Sequence, residues 1–347
     1  MILFPSRPHY KQQGMSLVEI LISLGLGAFM LLGIISLMAS VSNTRSGLAN
    51  TSDQIENGRY ALQLLNEDIS LAGFYGRYHP GVGVANYSLP NPCSDASIIA
   101  NLGFDASSPV SLPAPIVGYP SGATLPPCLT SEARANSEVL VVHRVDTSSV
   151  AVSSIGSTTV PYLQIADCDT GTQFVFSKIA GDLNLKLKDC SASAEAWPYV
   201  VRSYFISPCE DCTDPGDGKP TLKMREFRNG VLTTHSLVSG VEDMHIRYGL
   251  DFDGDGGPDC YEANPTQDTA PASCAVAGWS ASDAENWQNV VTVQINLLVR
   301  GMEKTASTMA KSYDLGRESP SSPAVDGYKR QVYSTLINVP NIAGARE

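Results

Sequence analysis

The chain has 347 residues, 43% hydrophobic and only 17% charged, with 29 Gly, 22 Pro and 8 Cys. A net charge of -12 excludes nucleic acid as a partner, because phosphate binding needs a basic stripe to release counterions, and the apolar content excludes disorder. The charged fraction is below the ~25% usual in soluble domains, so part of the chain is unusually apolar, and the length allows one large domain or two ordinary ones.

In chain order, the first 14 residues carry only Arg7 and Lys11 as charges. From Met15 to Thr44 the single charge is Glu19. Within that stretch, Ile20–Val41 is apolar and long enough to cross the roughly 30 Å hydrocarbon core as a helix. Positive residues ahead of the span predict a cytoplasmic N-terminus, with the rest of the chain sent across the membrane. A secretory signal peptide is the alternative. It has a shorter apolar core and a small-residue cleavage site after it, and a cut after Ala39 would leave Glu19 unexplained. A carboxylate at the membrane edge is costly and usually has a partner and a function. The blander reading has it snorkel to the headgroups.

The segment Gly14-Met15-Ser16-Leu17-Val18-Glu19 resembles the prepilin cleavage motif of type IV pilins and type II secretion pseudopilins. The resemblance implies cleavage after Gly14 by a membrane-embedded prepilin peptidase, methylation of the new N-terminus Met15, and an assembly role for Glu19. Most family members have Phe after the cut; Met15 departs from that and leans towards a minor subunit. The physics of the carboxylate agrees. Cleavage creates an ammonium at Met15, and in low dielectric a neighbour's ammonium neutralises Glu19 and fixes axial register.

After Arg45 the pattern turns amphipathic: Leu48, Ile55, Leu62, Leu65, Ile69 and Ala72 recur at helical spacing, with Asp53, Glu56, Arg59, Glu67 and Asp68 mostly off the stripe. A helix from Ser16 to about Leu71 would run about 80 Å at 1.5 Å per residue, closed by Gly73 as its C-cap. The residues Glu56-Asn57-Gly58-Arg59-Tyr60-Ala61-Leu62, then Asp68-Ile69 and Ala72-Gly73-Phe74, resemble the PilW family of minor pilins, itself similar to the J-type pseudopilins. That resemblance implies an α+β pilin-like fold, a long N-terminal helix packed on a β-rich head. The expected organisation is a leader over 1–14, a membrane segment over 15–44, the amphipathic half of the helix over 45–74 and a head over 75–347.

In the head, residues 76–137 are rich in Pro, Gly, Ser and Ala and read as long loops. Strands are predicted over 138–145, 173–179, 199–207, 221–227, 231–237, 244–250, 290–300 and 331–339, mainly antiparallel. Asn229-Gly230 predicts a type I′ hairpin turn. Along 290–300, Thr292, Gln294 and Asn296 alternate with Val293, Ile295 and Leu297, as in a half-buried strand.

All eight cysteines, Cys93, Cys128, Cys168, Cys190, Cys209, Cys212, Cys260 and Cys274, lie in the head. An even number suggests disulfides and an oxidising compartment. They allow on the order of a hundred pairings, so connectivity is open; sequential pairs are the simplest expectation. Cys209-Glu210-Asp211-Cys212 also fits C-x-x-C. A zinc site would need a second such pair or a His pair nearby, and a thioredoxin-like site a βαβ context, so a structural disulfide is expected.

Asp251-Phe252-Asp253-Gly254-Asp255-Gly256-Gly257-Pro258-Asp259-Cys260-Tyr261-Glu262 matches the calcium-loop pattern D-x-[DN]-x-[DN]-G-x5-E. Carboxylates at alternate positions converge on one hard cation, Gly256 permits the turn, the Gly257 carbonyl ligates and Glu262 closes the sphere. The flanks read as strands, so one Ca2+ loop is expected, not a paired EF-hand, with Asp251, Asp253, Asp255, Gly257 and Glu262 as ligands. The competing reading is a solvated acidic turn. Members of the PilW family carry a similar turn after a strand ending in Tyr-Gly, as Tyr248-Gly249 does here.

His9, His79, His143, His235 and His245 are scattered, and no H-E-x-x-H, G-x-S-x-G or P-loop occurs. The expected protein is therefore no enzyme. The PilW resemblance implies a structural subunit that helps prime type IV pilus assembly, at or near the filament tip. Its implied partners are other minor pilins, the major pilin, the inner membrane, the assembly platform and a tip adhesin. The implied location is the inner membrane before assembly and the pilus afterwards. Alternatives are a J-type pseudopilin of type II secretion, and a membrane-tethered calcium-binding or adhesive module outside any filament.

Overall fold

The computed structural model describes residues 14, 16–78, 86–94, 99–107, 109–156, 159–168, 171–275, 277–305, 310–323 and 325–344. The leader up to residue 13 and Met15 lie outside the described residues. The chain divides into two compact units, one ending at Ser52 and one beginning at Asp53.

Helix α1, Leu17–Ile69, is 53 residues long. In the first unit its apolar side chains, from Leu17 and Phe29 to Met38 and Val41, are all solvent-exposed. In the second unit one face is buried: Ala61, Leu65 and Ile69, continued by Ala72 beyond the helix, have no exposed surface. Two expectations about the stripe change. Leu48 is exposed, and two polar residues, Gln54 and Asp68, are buried instead. Burial of polar groups requires partners, and both have them. Gln54 Nε2 donates to the Val299 carbonyl at 2.6 Å, and Asp68 accepts from two arginines and a tyrosine, described below.

Among its described residues the head has thirteen strands: β1 Asn86–Ser88, β2 Ser111–Pro113, β3 Ile116–Tyr119, β4 Val139–Val145, β5 Tyr162–Ile165, β6 Phe174–Ser177, β7 Ala196–Ser207, β8 Thr221–Arg228, β9 Val231–Ser239, β10 Val241–Leu250, β11 Cys260–Glu262, β12 Val290–Arg300 and β13 Arg330–Asn338. A seven-stranded sheet is built on β7, which pairs antiparallel with β4, β5 and β8. A four-stranded sheet has the order β11-β10-β12-β13, all antiparallel. The fold class is α+β.

All eight predicted strands are present, and the Asn229-Gly230 turn joins β8 to β9 with both residues at positive φ, 54° and 78°. The stretch 76–137 is not merely loop. It supplies β1, β2 and β3, and Leu102, Phe104, Leu112, Ala114 and Ile116 are buried in the main core. Phe104 stacks on Phe176 at 4.4 Å between centroids and meets Tyr199 edge-on at 5.2 Å. Pro and Gly punctuate the backbone here, but the apolar residues between them pack at long range, which local composition does not report. The alternation along β12 also misleads. Thr292 and Asn296 are buried, because β12 is central and Asn296 Nδ2 donates to the Leu315 carbonyl at 2.8 Å. A later segment of the chain satisfies the polar face.

The C-terminal half of α1 is matched to the strands it crosses. Asn57 Nδ2 donates to the Ser239 carbonyl at the end of β9, at 3.2 Å. A Cβ on Gly58 would lie 2.6 Å from the Tyr333 ring of β13, so glycine is what lets the helix approach that strand. The Asn57-Gly58 pair is thus explained by docking.

The cysteines pair as Cys93–Cys128, Cys168–Cys190, Cys209–Cys212 and Cys260–Cys274. Two histidines in strands, His143 and His245, are buried and structural. His143 in β4 lies 2.7 Å through Nδ1 from the Ala114 carbonyl, and burial pushes its pKa down to about 4, so the ring is neutral and Nδ1–H donates. His245 Nδ1 sits 2.8 Å from Glu138 Oε1, both buried.

Candidate assembly terminus and acidic loop

The two functional regions predicted from sequence occupy opposite kinds of surroundings. At the N-terminus, the chain enters α1 at Leu17, and the Glu19 and Ile20 amides donate to the Ser16 carbonyl at 3.0 and 3.2 Å. Glu19 is the acidic residue of the first turn, where a carboxylate complements the positive end of the helix macrodipole. Its side chain and that of every apolar residue through Val41 are exposed. An apolar surface that continuous is not left in water; it is covered by lipid or by other apolar helices. Gly14 is also exposed.

The acidic loop connects β10 to β11. Leu250 pairs with Cys260, and the Asp259 amide donates to the Leu250 carbonyl at 2.8 Å, so Asp251 and Asp259 face each other across the mouth of a tight hairpin. Asp251 is fully buried, its two oxygens accepting the Gly254 and Gly256 amides at 2.7 and 3.0 Å. Gly254 and Gly256 have φ of 78° and 84°, a left-handed conformation that a side chain would strain. Asp259 Oδ2 accepts from the Phe252 amide at 2.7 Å.

The carboxylates that converge are Asp251, Asp253 and Asp259, with one oxygen of each within 4.8 Å of the others. Of the predicted ligands, Asp251 and Asp253 belong to this cluster, whereas Asp255 and Glu262 lie outside it and Asp259 joins it. Asp255 turns its Oδ1 to the Gly257 amide at 2.8 Å. Glu262 lies on β11, accepting the Ala263 amide at 2.9 Å and the Ser273 hydroxyl. The cause is the hairpin. In the calcium-loop pattern a helix after the loop returns the last position to the other ligands, whereas here Glu262, on β11, pairs with Tyr248 and Asp259 joins Asp251 and Asp253. The cluster is electrostatically loaded. The Asp255 amide draws the Asp253 carboxyl down, but desolvation and the charges of Asp255, Asp259 and Asp251 outweigh it and leave the group above its ordinary value.

Sequence reasoning missed a third polar centre. Asp68 on α1 accepts from Arg144 Nε at 2.9 Å, Arg202 NH1 at 2.7 Å and the Tyr204 hydroxyl at 2.9 Å. Arg202 also meets Glu226 at 2.8 Å. The one signal available was an acid one residue from the apolar stripe facing two arginines on predicted strands.

Residues 203–341 match the family described as Type IV Pilus-assembly protein W. Residues 9–35 match the prokaryotic N-terminal methylation motif. Among solved structures, the type IV-like pilin TTHA1219 from Thermus thermophilus is similar at 12% identity and a TM-score of 0.32, over 84% of this chain and 98% of that one. No curated protein matches the chain. The methylation-motif match spans Gly14 to Glu19 and the apolar run as far as Ile35, and the other match contains the acidic loop.

Proposed function

We propose that this chain, a type IV pilin-like protein with a PilW-family segment in its head and an N-terminal methylation motif, is a minor pilin that helps prime pilus assembly at or near the filament tip. Proteins of this kind are structural, not enzymatic, and act with other pilus components. The observation that carries the reading is the position of Gly14 and Glu19 at the entrance of a helix whose apolar surface is wholly exposed up to Val41. In the proposed sequence of events, prepilin peptidase cuts between Gly14 and Met15, the Met15 amine is methylated, and the apolar helix passes from the bilayer into the filament core. The head is large for a repeated shaft subunit, which favours an end position.

The test is purification of the full chain from membranes in mild detergent. The expected result is an N-terminal peptide beginning at methylated Met15 and co-purification of other pilins. An intact leader, or partners belonging only to a type II secretion system, would refute the pilus reading.

We further propose that the β10–β11 loop takes one Ca2+ through Asp251, Asp253 and Asp259, carbonyls and water completing the six to eight oxygens this ion needs. The support is the convergence of three carboxylate oxygens and the like-charge load on Asp253. Calorimetric titration of the full chain should give one site with a Kd of about 10⁻⁴ to 10⁻³ M, the range of extracellular modules. Asp259→Asn should weaken it at least about tenfold, one lost carboxylate being worth about 1.4 kcal/mol or more, and Asp255→Asn should leave it nearly unchanged. No heat on adding calcium to the wild type would end the idea.

A further inference from the structure

The four disulfides are not alike in what surrounds them. Cys260–Cys274 is buried in the main core, at 7% and 0% exposure. Cys93–Cys128 and Cys168–Cys190 join residues 35 and 22 apart, whereas Cys209 and Cys212 are 3 apart. The stabilisation a bridge lends by restricting the unfolded chain falls as the closed loop shortens, so Cys209–Cys212 holds the least. Cys212 is exposed at the surface while Cys209 is buried, and Cys190 is likewise exposed beside a buried Cys168, so loop length and the groups around Cys212 are what set Cys209–Cys212 apart.

The loop that carries this bridge, between β7 and β8, is held by other means. Asp217 Oδ1 accepts the Glu210 and Lys219 amides at 3.0 and 3.1 Å, and the Asp217 amide donates to the Asp211 carbonyl at 3.0 Å. Arg300 NH2 donates to the Gly218 carbonyl at 2.8 Å, and the Ser239 hydroxyl to Glu210 Oε2 at 2.9 Å. Opening the bridge breaks none of these.

The chemistry around Cys212 favours the open form. The ammonium of Lys223, a buried residue of β8, lies 3.6 Å from Cys212 Sγ, and the Ser207 hydroxyl lies 3.5 Å from it. A cation and a hydroxyl beside a sulfur lower its thiol pKa and stabilise the thiolate, and stabilising the reduced form makes a bridge easier to reduce.

We propose that Cys209–Cys212 is a thiol–disulfide exchange site on the head, reduced by dithiol-bearing partners while the other three bridges stay closed. A thiolate of the dithiol attacks Sγ of Cys212, the exposed residue of the pair. The Cys209–Cys212 bond breaks, and Cys209 departs with the electron pair and takes a proton from water. The second thiolate of the dithiol then attacks its own sulfur in the mixed disulfide. Cys212 is released as a thiolate beside Lys223, the dithiol is oxidised to a disulfide, and the head gains two electrons. Re-oxidation reverses these steps with a disulfide oxidant. The site is a substrate for exchange and not a thioredoxin-like catalyst, since it lies in a loop between two strands. Neither pilus membership nor calcium enters this inference.

The experiment treats the full chain in detergent with graded dihydrolipoate, quenches with N-ethylmaleimide and reads each cysteine by peptide mass spectrometry. Cys209 and Cys212 should be labelled at least about tenfold faster than the other six, with the far-ultraviolet circular dichroism unchanged, because the Lys223 ammonium and the Ser207 hydroxyl stabilise the thiolate that reduction releases. Lys223→Gln and Ser207→Ala, checked for native dichroism, should each raise the dihydrolipoate needed for half-reduction, the lysine change by at least about threefold. Two results would overturn the proposal: Cys209–Cys212 opening no faster than Cys168–Cys190 in the wild type, or half-reduction unmoved in a folded variant.

Discussion

Glu19→Ala is expected to remove the protein from filaments while leaving cleavage after Gly14 and membrane insertion intact. Cleavage and insertion depend on the leader and the apolar run, which the substitution does not touch. Docking is different. Under the proposed function, the cut after Gly14 leaves an ammonium on Met15, four positions before Glu19 in the sequence, and inside a bundle of apolar helices neither charge would have water. Removing one member of a desolvated pair leaves the other unpaired, at a cost of about 3–5 kcal/mol, or a roughly 10²- to 10⁴-fold loss in the docking equilibrium. Glu19→Gln should lose nearly as much, since it keeps the shape but not the charge. The measurement is the amount of each variant in sheared filaments relative to membranes. Equal filament content for wild type and Glu19→Ala would reject the role assigned to this carboxylate and favour a tethered module that never enters a filament.

Asp68→Ala should destabilise the head by about 3–5 kcal/mol, because it strips the shared acceptor from two guanidiniums in a place with little water. The side chains of Asp68 and Arg144 are only 4% and 7% exposed, and that of Arg202 is 19% exposed. Burial alone would lower the Arg202 pKa, but the charge of Asp68, with Tyr204 and Glu226, outweighs it and keeps the guanidinium charged. Without Asp68, Arg202 retains Glu226, whereas Arg144 keeps only the Val145 carbonyl among the acceptors described. At about 2–4 °C per kcal/mol for a domain of this size, thermal unfolding should move down by roughly 6–20 °C. Asp68→Asn, which still accepts hydrogen bonds, should fall between. The same carboxylate ties α1 to β4 and β7, so the loss should appear as earlier release of the helix from the sheet in hydrogen exchange. A fall below about 1 kcal/mol would mean the arginines find water or other acceptors, and that the triad does not hold the helix.

Much of this molecule is legible locally. An apolar run of helical length needs no partner to declare itself, and neither does the Asn-Gly pair, whose two residues accept the positive φ of a tight hairpin. The strands around β7, β10 and β12 announce themselves by β-branched and aromatic residues, and Gly14 to Glu19 by resemblance to the prepilin motif. Sequential disulfides are equally close to the surface of the sequence, each joining neighbours in the cysteine order. The stretch 76–137 was hidden because Phe104 and Ile116 find their partners across long reaches of chain, in β6, β7 and β4.

What the amino-acid order determined by itself, then, is the spike and its entrance: a long helix, apolar first and amphipathic later, with one carboxylate set at its first turn. The tertiary structure decided which charges meet. Asp68 looks like a surface residue until Arg144 and Arg202 arrive from strands 76 and 134 positions away. The spacing groups Asp255 and Glu262 with Asp251 and Asp253, but with Leu250 paired to Cys260 the carboxylates that converge are Asp251, Asp253 and Asp259. Spacing along a chain specifies a ligand set only when the flanking elements are specified too. Here a hairpin stands where the calcium-loop pattern has a helix, and the geometry of that hairpin selects the carboxylates.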